Sequence, residues 1–317
     1  MRWLKRISFV LLLVVFTIGG WYTYHRIEHK ASPIKLTTVE VPSPKAEVSL
    51  STIRVAAYNI AHGRGGKLGT SNWDNDSADA LRQRLDQIAT QINAVAPDIL
   101  VLNEIDFDTS WSFGFNQAEY LAKKCGYPYV LQQRNFGVSL PFYHLHFGNA
   151  LLSKYPITNA EFLKFPPLSM KEDIFAGDHD GFICDVAAPG QTLSIVGVHL
   201  EYRDESTRLQ SAKIIQTAAE QRTKPVIAMG DFNSAPDANA QTASGENTIS
   251  YLLANGFTAS MTGAKALPTF PSEKPERKID WILGSTVDGF RDGRVIQSNY
   301  SDHLMVAAEV DLPPPAE

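Results

Sequence analysis

The chain has 317 residues, 44% hydrophobic and 20% charged, an ordinary globular composition with enough length for one large or two modest domains. Its net charge of −5 and lack of any Lys/Arg-rich block argue against a protein built around a polyanion. A local basic groove would still be compatible with nucleic acid.

The N-terminus stands apart. MRWLKR carries three positive side chains, and Ile7 to Tyr24 then carries no charge, with ISFVLLLVVF at its centre. That length is at the short end for a membrane-spanning helix. No small-x-small cleavage pattern follows directly. The run leaves through Gly19-Gly20-Trp21-Tyr22-Thr23-Tyr24, whose aromatic residues suit a membrane interface. Residues 1–24 are therefore expected to be an uncleaved signal anchor, with a cleaved signal peptide as the alternative. Lys5 and Arg6 favour a cytoplasmic N-terminus, which makes this a single-pass cell-membrane protein with its bulk outside the cytoplasm. Residues 25–50 are polar, hold three prolines and show no helical period, the pattern of a flexible stalk.

From residue 51 to 312 the chain alternates between strand and helix patterns. Apolar runs predict strands at 53–60, 98–105, 149–154, 182–188, 192–200, 225–231, 278–283 and 305–312. Leu81, Leu85, Ile88 and Ile92 recur at helical spacing and predict a helix from Ser77 to Val95. Further helices are predicted from Asn116 to Cys125, from Ser206 to Gln221 and around Thr248 to Asn255. A short APGQ turn makes 182–188 and 192–200 an antiparallel hairpin, so the fold is α/β with mixed sheets, read as two sheets packed face to face under helices. A proline-rich tail, residues 313–317, closes the chain.

Polar residues stand at the ends of these apolar strands, where packing gives no reason for them. Asn59 ends the first strand, Glu104 the second and His199 the fifth. Asp231 and Asn233, in GDFN, end the sixth; Asp280 interrupts the seventh; Ser301-Asp302-His303 opens the last. Each alone reads equally well as a turn, a cap or a satisfied buried histidine. Six segments ending this way point to one site at the strand exits.

With IRVAAYNI, DILVLNEI, FGNALLSKYPI, IVGVHL, MGDFN, KIDWIL and YSDHLMVAAEV in that order, the chain resembles the endonuclease/exonuclease/phosphatase superfamily over residues 53–311. The resemblance implies a DNase I-like four-layer sandwich of two packed mixed sheets flanked by helices. It also implies metal-assisted hydrolysis of a phosphate ester, with Mg²⁺ as cofactor and Mn²⁺ as a substitute. On that reading Glu104 is the principal metal ligand, with Asn59 and Asp302 completing or supporting the shell. His303 is the general base and Asp280 orients it. Asp231 and Asn233 align the nucleophile and hold phosphate oxygens, and His199 donates to a phosphoryl oxygen or assists the leaving group. A catalytically silent binding module would have lost some of these eight residues; all are present.

One departure is Ala61, where some family nucleases carry an acidic residue. The aromatic stretches Asp106 to Phe115 and Arg134 to Phe147 fit either core packing beneath long loops or a rim facing substrate or lipid; His144 and His146 are not assigned as metal ligands. Arg208 is read as part of a solvated helix face. Cys125 and Cys184 lie in no zinc-like pattern, and one disulfide or two separate thiols remain open. The expected partners are the membrane and a phosphoester, with a lipid headgroup or small phosphoester favoured over DNA. A DNase-like nuclease is the nearest alternative, and the oligomeric state is not encoded legibly.

Overall fold

A computed structural model describes residues 2–31, 33–42, 52–71, 77–169, 179–236, 245–263, 266–287 and 289–311. Residues 43–50 of the expected stalk and the expected tail at 313–317 lie outside these. Among the described residues, thirteen strands form two sheets. The first contains β1 (Ile34–Thr38), β2 (Thr52–Asn59), β3 (Ile99–Asp106), β4 (Tyr129–Leu140), β5 (Tyr143–Ser153), β12 (Phe290–Ile296) and β13 (Met305–Asp311). The second contains β6 (Ile157–Leu163), β7 (Gly181–Ala188), β8 (Gln191–His199), β9 (Val226–Asp231), β10 (Phe257–Ala259) and β11 (Asp280–Ser285). Their orders are β1-β4-β5-β3-β2-β13-β12 and β10-β11-β9-β8-β7-β6.

Side-chain alternation along the strands builds the layers. In β2, Val55 and Ala57 face the second sheet and pack with Ile195, Ile227 and Ile282, whereas Ala56 and Tyr58 face outward. Over that outer face lie α2 (Ala78–Val95) and α3 (Gln117–Cys125), with Leu81, Leu85, Ile88 and Ile92 forming the buried stripe that their spacing predicts. Ser77 caps α2 by accepting the N–H of Ala80, and Ala96 ends it in a left-handed conformation. On the second sheet's outer face, α4 (Glu205–Glu220) and α5 (Thr248–Ala254) bury Ala212, Ile215, Ile249 and Leu252. The result is the four-layer sandwich.

Each sheet contains one parallel pair at its centre. β2 and β3 are joined through α2, and β8 and β9 through α4. β7 and β8 form the expected antiparallel hairpin.

Three differences from the sequence reading matter for function. First, the stalk reading fails over 34–38, which form edge strand β1 along β4. Lys-Leu-Thr-Thr is a short β-prone run, easily missed between prolines. Second, Arg134 to Phe147 is not a long loop: β4 and β5 make one hairpin turning at Pro141-Phe142. Third, α1 (Arg2–Ala31) continues past residue 24 and packs on β4. It is long and apolar enough over Arg6–His29 to cross a membrane, as an anchor or a signal sequence would be. Cys125 and Cys184 are separate free thiols in different layers, so the disulfide alternative is not realised.

Candidate active site

The carboxyl ends of both parallel pairs meet. Asn59 ends β2 and its Nδ2 donates across the sheet gap to Asp231 Oδ2 at 3.2 Å. His199 ends β8 directly beside Asp231, and Asp280 begins β11 directly opposite it. The loop carrying Asp302 and His303 is tied to β2 by Ser301, whose Oγ donates to the Asn59 carbonyl at 2.7 Å. A cleft of about 510 Å³ opens above these groups, lined by Glu104, His199, Asp231, Asn233, Asp302 and His303 among others. All eight predicted residues gather here, with Asn59 and Asp280 just behind the lining.

Glu104 reaches the cleft because β3 is bulged between Leu102 and Ile105 and the residue takes φ +50°. Such a conformation costs on the order of 1 kcal/mol or more for a residue with a side chain, and here it turns the carboxylate out of the sheet. Oε1 accepts from Asn59 Nδ2 at 3.0 Å, Oε2 accepts from Arg64 Nη2 at 3.3 Å, and His62 Nε2 lies 3.5 Å from Oε2. Burial alone would raise its pKa; His62, His199, Arg64 and the Asn59 hydrogen bond outweigh that and bring it to about 2. Glu104 is therefore a permanent carboxylate.

Asp302 is less well compensated. Burial raises its pKa, the His303 charge only partly offsets that, and the Glu104 charge raises it again. Ser301 Oγ lies 3.4 Å from Asp302 Oδ1, with the hydroxyl proton directed to the Asn59 carbonyl at 2.7 Å. Two hard oxygen donors with surplus negative charge in a cleft fit a divalent cation. Asp231, Asp280 and His303 also lie within 4.8 Å of one another and could hold a metal ion. However, His303 Nδ1 already faces both oxygens of Asp280, at 3.0 and 3.2 Å. Asn59 Oδ1 accepts the Ala61 N–H at 3.0 Å, so the amide turns its N–H₂ to the cleft carboxylates. That orientation suits a spacer between Glu104 and Asp231 better than a metal ligand.

His303 Nε2 points to Asp231 Oδ2 at 3.6 Å. Burial would lower its pKa, but Asp280, Asp231 and Asp302 lift it to about 10. Asp231 is itself raised to about 6, chiefly by burial, with His303 pulling it down and Asp280 pushing it up. The network thus keeps a proton between His303 and its carboxylates. His199 Nε2 lies 3.8 Å from Asp231 and 3.9 Å from Glu104, within water-bridging range of both. Asn233, at φ +50°, donates from Nδ2 to the Leu200 carbonyl and from its backbone N–H to Asp231 Oδ1.

Several groups escaped the sequence reading. His62 Nδ1 donates to Asp106 Oδ1 at 2.7 Å, and Asp106 Oδ2 accepts from Trp111 at 2.9 Å. This gives the cleft a second His–Asp pair, in the AHGRGG turn that follows Asn59. A histidine opening a glycine-rich turn three residues after Asn59 was the available signal. Asn103, fully buried, is a clamp between the sheets: Nδ2 donates to Asn149 Oδ1 and the Val198 carbonyl, and Oδ1 accepts the Asp231 N–H. His179, lowered to about 3 by burial and then His199, packs edge-on against His199 at 5.3 Å.

Other expectations change. Arg208 does not lie on a solvated face: it is buried, held by Glu205 and the Glu201 carbonyl. His146 faces a crevice beside α1, and Phe147 lines the cleft, so alternation splits this hairpin between two surfaces. Trp111, Phe136 and Phe147 pack together beneath the cleft, while Phe142 stays exposed.

The profile of the Endonuclease/Exonuclease/phosphatase family matches residues 56–303. No curated protein matches the chain. Among solved structures, an endonuclease/exonuclease/phosphatase from Beutenbergia cavernae is 19% identical with TM-score 0.64, covering 83% of this chain and 72% of its own. One from Bacteroides vulgatus is 19% identical with TM-score 0.57, covering 83% and 99%. A 3′ phosphatase from Neisseria bound to a product DNA hairpin is 19% identical with TM-score 0.54, covering 82% and 99%. These likenesses establish the same sandwich. With a family match spanning most of its length and both parallel strand pairs delivering polar groups to one cleft, the chain belongs to the endonuclease/exonuclease/phosphatase family.

Proposed function

We propose that this protein is a divalent-metal-dependent hydrolase of small phosphate esters, acting beside a membrane outside the cytoplasm. The family implies phosphoester hydrolase or nuclease chemistry. The observation that carries the narrower reading is the His303–Asp280 pair facing the same cleft as Glu104 and Asp302.

Glu104 and Asp302 would hold the cation, with Asn59 steadying Glu104. A divalent cation there supplies polarisation of a phosphoryl oxygen and offsets the carboxylate charge that keeps His303 protonated. Asp280 fixes the His303 ring so that Nε2 faces the cleft and can take a proton from an attacking water. Asp231 lies between the two histidines and accepts from Asn59, a position that orients that water. Asn233 has a second amide N–H for a phosphoryl oxygen, and His199 is placed to donate near the leaving group.

The cleft walls support a compact substrate. Phe147, Tyr202, Phe270 and Ile279 are apolar, and the two rim arginines, Arg203 and Arg277, lie over Tyr202 and Phe270. A nucleic acid groove needs a longer run of phosphate contacts. The DNase-like reading stays as the alternative, favoured by the DNA-bound phosphatase of the same fold.

The test is a substrate panel of plasmid DNA, sphingomyelin, phosphoinositides and bis-p-nitrophenyl phosphate, each with Mg²⁺, with Mn²⁺ and with EDTA. We expect metal-dependent turnover of a lipid or small phosphoester and its loss in His303→Ala. Turnover of plasmid alone would select the nuclease reading. No metal-dependent hydrolysis of any member would overturn the hydrolase assignment.

A further inference from the structure

The hairpin β4–β5 serves two surfaces. It supplies Asn135, Phe147 and Gly148 to the cleft and also receives the end of α1. Trp21 Nε1 donates to the Ser139 carbonyl at 2.5 Å. Further along, Arg26 lies over the Phe136 ring at 4.7 Å, and His29 packs so closely on Gly137 that a Cβ there would meet its ring at 2.6 Å. Beyond the helix, the Arg134 N–H donates to the Pro33 carbonyl at 2.9 Å. These contacts give α1 and β4 opposite directions: moving back along α1 from Pro33 to Trp21 moves forward along β4 from Arg134 to Ser139.

The hairpin turn at Pro141-Phe142 therefore projects past Trp21, alongside the apolar part of α1. Ser139 to Pro141 is two residues of strand, roughly 7 Å at 3.3 Å per residue. Phe142 at this tip is 96% exposed. An aromatic side chain so fully in water has no packing reason to be there, and it lies beside a helix whose charge-free stretch ends at Tyr24. The crevice between helix and hairpin, about 440 Å³ and lined by His25, Lys35 and Arg134 among others, sits on the other side of Trp21 from that stretch. Glu28 also lines the crevice and pairs with His25 at 3.3 Å, which leaves Lys35 and Arg134 to meet anionic headgroups while the tip enters the boundary below them.

We infer that the Pro141-Phe142 tip of the β4–β5 hairpin is a second membrane contact, inserted into the same leaflet surface from which α1 emerges. This rests on the proposal that α1 is a membrane anchor. It adds that the catalytic body is held against lipid by its own cleft-lining hairpin, so that Phe147, five residues from the tip, ties the cleft to the bilayer surface. A phosphoester presented by that leaflet is the substrate this geometry favours.

The test uses the full chain reconstituted into vesicles of equimolar phosphatidylcholine and phosphatidylglycerol. Single spin labels are placed at Phe142→Cys, Phe9→Cys and Leu253→Cys, with Cys125 replaced by serine; Cys184 is fully buried. Collision with oxygen against a water-soluble nickel chelate reports depth. The label at 142 should resemble that at 9, with the oxygen-to-nickel ratio several-fold above that at 253 on α5. A lipid-embedded label at 9 with a water-exposed label at 142 would overturn the hairpin contact alone. Water exposure at both would overturn the anchor and the hairpin contact together.

Discussion

Both carboxylate oxygens of Asp280 face Nδ1 of His303, at 3.0 and 3.2 Å, and neither residue is open to solvent. This grip fixes the ring and stabilises its protonated form. Removing the charge but keeping the shape, Asp280→Asn, should lower kcat by about 10²–10⁴-fold with little change in KM. It should also bring the His303 pKa down from about 10. Because the folded value lies above the ordinary 6.5, the associated stability is present below about pH 6.5 and lost as pH rises towards 10. In EDTA, the thermal midpoint of the wild type relative to His303→Gln should be level below pH 6 and fall by several degrees up to pH 10; excess Mg²⁺ should flatten that fall.

Glu104→Gln keeps the Asn59 contact while removing the charge. We expect apparent Mg²⁺ affinity to drop by at least about 10–100-fold, read by calorimetric titration and by the Mg²⁺ dependence of turnover. An unchanged Mg²⁺ dependence would move the metal to the Asp231, Asp280 and His303 group.

Asn103→Leu should be costly without touching any substrate. It strips partners from the Asp231 N–H, the Val198 carbonyl and Asn149, all buried between the sheets. Each unmade bond costs about 1–3 kcal/mol, so several kcal/mol of stability should be lost in urea unfolding. Activity should fall with it, because the Asp231 backbone loses its tether.

The two cysteines should behave as shielded thiols. Burial pushes Cys125 up to about 12 and Cys184 higher still. Native protein should react slowly with a thiol reagent, react fully once unfolded, and show no mobility change on reduction.

The strand-end residues were legible because polarity at the exit of a buried strand is conspicuous against an apolar run. Asn59, Glu104, His199 and Asp231 announce themselves that way, and two parallel pairs bring their ends together. His62 and Asn103 did not, for different reasons. His62 lies in a glycine-rich turn, where any polar residue looks ordinary, and its role appears only through Asp106 across the bulge of β3. Asn103 precedes Glu104 and was overshadowed by it; its partners lie on β5, β8 and β9, which no local pattern connects. Arg208 looked solvated because its helix is amphipathic, yet Glu205 and the Glu201 carbonyl draw it inward. β1, β6, β10 and β12 were missed because short or charged edge strands carry little hydrophobic alternation, and β4 because its centre, Gln132 to Asn135, is polar.

Edge strand β1 carries one more consequence. It pairs through Ile34–Thr38 with Tyr129–Gln133, closing the outer side of β4. A fragment begun at Thr52, the start of β2, would discard β1 and leave a row of backbone donors and acceptors unpaired beside Val130 and Leu131. Such an edge is a template for another chain, and two trimmed copies would pair through it. Self-association in that fragment would belong to the cut and not to the protein.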